Sequence, residues 1–465
     1  MYRFLTLALL CLPVAAQAAG LDGSQLSLAW ALPFAGILLS IALFPLFAPH
    51  FWHRHFGKVA AFWALAFLVP CAGLLGPATA GGVVAHALIE EFIPFVLLLF
   101  ALYTVSGGIL VWGNLHGSPA LNTGILALGS VLASIMGTTG AAMLLIRPLL
   151  KANDNRKHNV HVVVFFIFLV ANIGGGLTPI GDPPLFLGFL KGVGFFWTLE
   201  HMALPVLLSV AVLLTVFFFI DRHYFNKEGV LPRDPTPDMP LKLYGKRNLL
   251  LIAAVVGAVV MSGVWQPGVS VQIAGATLSL QNLVRDVLLI AIAGLSLWLT
   301  PKQVRAGNDF NWFPILEVAK LFSAIFVVMA PAIAILRAGE AGHLAPLVRM
   351  VFTADGAPLD TMFFWMTGTL SAFLDNAPTY LVFFNLAHGD AQHLMTEMAS
   401  TLLAISAGSV FMGALSYIGN APNFMVKAVA EDRGVKMPSF FGYMAWSCAI
   451  LLPLFLLITV IFFHV

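Results

Sequence analysis

Ten stretches of this sequence stay apolar for about twenty residues each, the length a helix needs to cross the hydrocarbon core of a bilayer. They lie near 28–48, 59–76, 92–113, 160–190, 203–220, 249–266, 285–300, 311–337, 397–430 and 439–463. Only 9% of the 465 residues are charged and 60% are hydrophobic, whereas soluble domains carry about 25% charged residues. The expected fold is therefore an all-α polytopic membrane protein. Two further apolar stretches, 123–150 and 361–388, hold polar residues at their centres. They are read as re-entrant hairpins that enter and leave on one side.

Several function classes drop out early. The net charge is +2 and no basic patch is interleaved with aromatics, so no nucleic-acid partner is expected. Cys11, Cys71 and Cys448 are too far apart for a metal or disulfide framework. His50, His53 and His55 in "HFWHRH" read as a cationic loop at the membrane surface rather than a metal site. Residues 1–18 look like a signal peptide: Arg3, an apolar core from Phe4 to Val14, then "AQA", with cleavage after Ala18. A signal on a multi-pass protein without a cysteine framework fits a bacterial inner membrane.

Excess Lys and Arg marks the cytoplasmic side. With the mature amino terminus outside, "HFWHRHFGK" and the loop 221–247 fall inside, and 267–284, which has no basic residue, falls outside. Five spans and a hairpin then stand on each side of 221–247. Residues 28–220 form a first half, 221–247 a cytoplasmic linker and 248–465 a second half. An odd number of spans per half makes the halves inverted repeats.

The chain does repeat itself. "GGLTPIGDPPLF" (175–186) and "GALSYIGNAPNF" (413–424) share Gly175/Gly413, Leu177/Leu415, Ile180/Ile418, Gly181/Gly419, Pro184/Pro422 and Phe186/Phe424. The same offset sets "SIMGTTGAAML" (134–144) on "AFLDNAPTYLV" (372–382). Glycines let the chain leave the helix and prolines stop its continuation, and unwound backbone at membrane depth must line a cavity or pack within protein. "TPIGDPP" and "SYIGNAP" are therefore read as the unwound middles of two broken spans, with "GTTG" and "DNAP" as hairpin tips closing the same cavity. This is the architecture of a secondary transporter, with its site near the midplane at the repeat interface.

Ionisable residues at that depth are functional candidates. Asp182 and Asp375 are the two carboxylates there, opposite Asn420 and Gly137 in the repeat. Thr138, Thr139, Thr178, Asn376, Ser416 and Asn423, with the backbone at Gly181 and Gly419, complete a hard-oxygen set suited to Na⁺. A buried carboxylate that takes Na⁺ or H⁺ but not both is the minimum device for antiport, and burial makes that choice sensitive to pH. Arg147 is expected nearer the cytoplasm than the tip, as an anchor, with no Arg fixed at the site.

These motifs resemble the ion transporter superfamily, which contains NhaD-type sodium:proton antiporters, citrate–metal carriers of the CitMHS kind, arsenite pumps and dicarboxylate symporters. The resemblance implies a scaffold domain, a mobile transport domain, a homodimer, and hairpin tips holding sodium and substrate. "GTT" and "DNA" stand where the dicarboxylate symporters carry Ser-Asn-Thr, and the acidic "LDNAP" lies closer to the antiporters and to anion permeases with an acidic tip.

Sodium:proton antiport is the expected function, with Na⁺- or H⁺-coupled transport of citrate or another organic anion as the alternative. Na⁺ and H⁺ serve as transported or coupling ions, and no cofactor is expected. An enzyme is not expected: the aspartates lack the Tyr-Asp and Gly-x-Gly-Asp contexts of intramembrane aspartyl proteases, and no phosphate-binding loop followed by Lys-Ser/Thr is present.

Overall fold

A computed structural model describes residues 21–229 and 239–463; the expected signal peptide lies outside them. The architecture is helical, and among the described residues ten helical segments are long and apolar enough to cross a membrane. The first half runs α1 (Leu32–Phe47), α2 (Pro49–Leu74), α3 (Pro77–His86) and α4 (Ile93–Ser106). A hairpin of α5 (Pro119–Met136) and α6 (Thr138–Ala152) follows. Then come a broken span, α7 (Val160–Leu169) and α8 (Pro183–Leu190), and the long α9 (Phe195–Glu228).

The second half repeats this order. Helices α10 (Arg247–Val264), α11 (Leu280–Leu299) and α12 (Phe313–Arg337) precede a hairpin of α13 (Asp360–Phe373) and α14 (Asn376–Leu386). A second broken span, α15 (Ala399–Met412) and α16 (Ala421–Asp432), leads to α17 (Phe440–Phe462). Helix starts and breaks correspond across the halves at the offset read from the sequence. Helix α6 starts after Gly137 and α14 after Asp375, while α8 starts after Asp182 and α16 after Asn420.

Several boundaries differ from the sequence reading, each for a local reason. "HFWHRH" is not a loop: Pro49, whose missing N–H costs nothing in a first turn, starts α2, so the histidines lie on its opening turns. The 77–92 segment is likewise helical, ending in a π-turn over Ala87–Phe92. The span placed at 92–113 ends at Ser106, because Gly107 and Gly108 pack where no side chain fits. Beyond it a strand, β1 (Leu110–Trp112), pairs antiparallel with β2 (Lys242–Tyr244), joining the end of α4 to the start of the second half. The linker set at 221–247 begins as helix, since α9 continues to Glu228. Pro119–Met136 alone is long enough to span, while 397–430 is split into α15, a 3₁₀ turn and α16. Length cannot distinguish a hairpin arm from a span; the left-handed Gly137 (φ 79°), where the chain turns back onto α5, does.

Each broken span is unwound in the same way. After α7 a 3₁₀ turn (Ile173–Leu177) leads to extended residues before α8, and Gly413–Leu415 does the same before α16. At both breaks the chain passes over itself. A Cβ on Gly181 would sit 2.1 Å from the Gly175 carbonyl oxygen, and one on Gly419 would sit 2.5 Å from that of Gly413. Helix α7, wholly apolar apart from His161, is buried along its length. Leu204, Leu250 and Trp298 lie on the exposed outside, as lipid-facing residues do. We expect Gly181→Ala to lower stability by about 1–3 kcal/mol through overpacking. Gly124→Ala, in an open stretch of α5, should be neutral or stabilising; thermal unfolding of both purified variants in detergent checks this.

Candidate functional site

Four half-helices begin at one place. The residues that cap them, Gly137, Asp182, Asp375 and Asn420, all line a cavity of about 690 Å³. Each helix start exposes N–H groups without intrahelical partners and carries partial positive charge. The cavity is thus ringed by donors, with carboxylates set among them.

Asp182 is enclosed and joins its own element to the other three. Its Oδ1 accepts from the Thr138 hydroxyl and from Asn420 Nδ2, each at 3.2 Å. Its Oδ2 accepts from Asn376 Nδ2 at 2.6 Å. Backbone reinforces the junction, since the Thr138 N–H donates to the Gly181 carbonyl at 2.9 Å. Asp375 is half-buried and caps α14, its Oδ1 accepting the Ala377 N–H at 3.1 Å. Asn376 spends its amide donor on Asp182, which leaves its buried Oδ1 without a donor. A buried acceptor left open in this way is costly unless something fills it, and a cation or a protonated ligand would.

Of the residues singled out from the sequence, Gly137, Thr138, Thr139, Gly181, Asp182, Asp375 and Asn420 line the cavity. Asn376 joins them through its bond to Asp182. Thr178 and Ser416 do not. Thr178 donates its hydroxyl to the Ser134 carbonyl and Ser416 to the Ala372 carbonyl, symmetry-related ties that hold each broken span to its own hairpin. Gly419 serves the backbone crossing described above. Asn423 braces the two breaks together, since its Oδ1 accepts from Asn172 Nδ2 at 2.7 Å.

The sequence reading missed residues supplied from elsewhere. Asn172 accepts from Asn420 Nδ2 at 3.3 Å; its repeat partner is Val410, so the alignment gave no cue, although an Asn in an apolar run was itself a signal. Glu317 lines the cavity and accepts from Trp52 Nε1 at 3.2 Å. His50 and His53 also line it, from the first turns of α2. Among the described residues lining the cavity, none is Lys or Arg. Three carboxylates therefore face the space with no fixed cation to balance them.

Ion pairs flank the cavity at both ends. Arg147, on α6, meets Asp309 at 3.2 Å beside the basic loops. At the end of α8, Lys191 pairs with Glu91 of the π-turn, next to a His86–Glu90 contact at 3.0 Å.

A multi-pass helical protein in which two similar halves bring four half-helix ends to one cavity, with polar groups at those ends, has the architecture of a membrane transporter. Over residues 23–463 the chain matches the family model CitMHS_2, described as "Putative citrate transport". The chain belongs to that transporter family, on the citrate-carrier side of the resemblance drawn from the sequence. No curated protein matches it.

The division between cavity residues and braces can be tested. Thr178→Val and Ser416→Ala should each cost about 1 kcal/mol of stability while leaving ligand affinity within about threefold. Asn376→Ala should weaken ligand-induced thermal stabilisation by roughly tenfold or more in half-saturating concentration.

Proposed function

We propose that the protein is a secondary carrier of citrate, coupled to Na⁺ or H⁺. The observation that carries this reading is the family match over nearly the whole chain. The cavity supports it in two ways. Four helix N-termini offer backbone donors to carboxylates without any Arg or Lys. Asp182, Asp375 and Glu317 would repel a multivalent anion arriving alone, so the anion enters with cations that neutralise it at these side chains. In this reading Asp375 and the open Asn376 Oδ1 hold the coupling ion, while Thr138, Thr139 and the helix ends of α6 and α14 hold substrate carboxylates.

Sodium:proton antiport remains a second reading. It is favoured by a specific observation: Asp182 and Asp375 both line the cavity with no Lys or Arg among the described lining residues, a setting that draws cations.

Proteoliposomes with an acidified lumen separate the two. Addition of Na⁺ alone, followed with a pH dye, should leave the proton gradient standing, and labelled citrate should accumulate only when Na⁺ or a proton gradient is also present. Asp375→Asn should cut citrate uptake by about ten- to a hundredfold. Dissipation of the gradient by Na⁺ alone, abolished in Asp375→Asn, would replace citrate carriage with antiport.

A further inference from the structure

A second cavity, of about 610 Å³, lies away from the four caps, at the feet of the helices on the side of the basic loops. It is formed where the α6–α7 connection meets the α16–α17 connection. Lys151, Arg156, Lys157, Arg433 and Lys436 line it, against one carboxylate, Asp154. Asn159 and Val160, at the start of α7, add N–H groups of a helix N-terminus.

The positive-inside tendency and the pull of helix C-termini would each put cations near here. Neither accounts for their convergence around one cavity, and the partners of these cations are informative. Arg156 is fully buried. Its Nη1 meets Asp221 at 2.6 Å and its Nε meets Glu228 at 3.4 Å, while Nη2 has no hydrogen-bond partner. His161 and Asn122 also bind Asp221, at 2.8 and 2.9 Å, so the guanidinium is held rigidly from behind. Lys151 Nζ donates to the Gly113 carbonyl, which leaves its charge unneutralised. Lys157, Arg433 and Lys436 are exposed, and among the described residues none of them makes an ion pair.

From this arrangement we infer an anion-binding site for a compact oxyanion carrying two negative charges, phosphate in kind. The ammonium groups of Lys151, Lys157 and Lys436 and the Arg433 guanidinium, gathered beside a helix N-terminus on one cavity with a single lining carboxylate, are the donor set such an anion takes. The ion could be free in solution, or it could be the headgroup of a phospholipid, since basic pockets between helix ends at this surface also take anionic headgroups.

The place of the site gives it a consequence. Helix α6 runs from Thr138 at the central cavity to Lys151 here, and α16 runs from Asn420 to the Arg433 turn; the two helices pack together. An anion bridging their far ends stiffens the pair that holds Asp182 at their near ends. This inference does not rest on the identity of the transported substrate.

The full-length protein in phosphatidylcholine nanodiscs is titrated with inorganic phosphate at constant ionic strength, and thermal unfolding is followed. A parallel set of discs contains phosphatidic acid. The expected result is a rise in the transition temperature of wild type in one of the two arms. The exposed-residue triple variant Lys157→Gln, Arg433→Gln, Lys436→Gln should need roughly tenfold more anion for the same rise. A rise in the first arm identifies a free ion, and a rise in the second alone identifies a headgroup. An equal response in wild type and triple variant, or no response in either arm, overturns the site. So does loss of the response in Asn376→Ala with its retention in the triple variant, which would place the anion in the central cavity.

Discussion

The Asp182 carboxylate is the interaction on which the rest of the site depends. It is enclosed at membrane depth, where an unsatisfied charge is costly, and its three partners come from both hairpin tips and the opposite broken span. The first repeat supplies the acid and one hydroxyl, and the second supplies both amides. Neither half can complete this shell alone, so one carboxylate both closes the cavity and registers the two repeats against each other.

The repeats are symmetrical in backbone and asymmetrical in charge. The backbone crossings at Gly181 and Gly419 and the ties from Thr178 and Ser416 are equivalent across the halves. At the caps the correspondence breaks: aspartate faces asparagine at one pair, glycine faces aspartate at the other. A symmetric frame lets one cavity present itself to either side of the membrane. The broken symmetry supplies the carboxylates, and among the described residues no Lys or Arg lines the space.

Beyond the cavity, charge is used to tie helix ends. Arg147–Asp309 and Lys191–Glu91 sit on opposite sides of the central cavity, and the buried cluster of Asp221, Arg156, His161 and Asn122 fastens the feet of α5, α7 and α9. Buried ionic clusters add little net stability compared with apolar packing, but they are costly to break singly. Their effect here is to tie these helix ends to one another. The basic pocket borders this cluster at Arg156.

Much of this was legible in the sequence. Apolar run length and charge scarcity dictate a polytopic helical membrane protein, because lipid offers no partner to backbone polar groups. The paired Gly-Pro motifs locate both breaks and all four caps, because a local backbone requirement leaves a local mark, and Asp182, Asp375, Asn376 and Asn420 could be named from it. Side-chain direction was decided only in the tertiary structure. Thr178 and Ser416 sit in the right segments yet turn to hairpin carbonyls, while Glu317, His53 and Trp52 reach the cavity from distant helices without any motif. The short β1–β2 pairing, the helical start of the 221–247 segment and the basic pocket depend likewise on which chain ends meet in space. Local sequence carries backbone geometry at a break, but which polar groups face one another is set by packing between segments hundreds of residues apart.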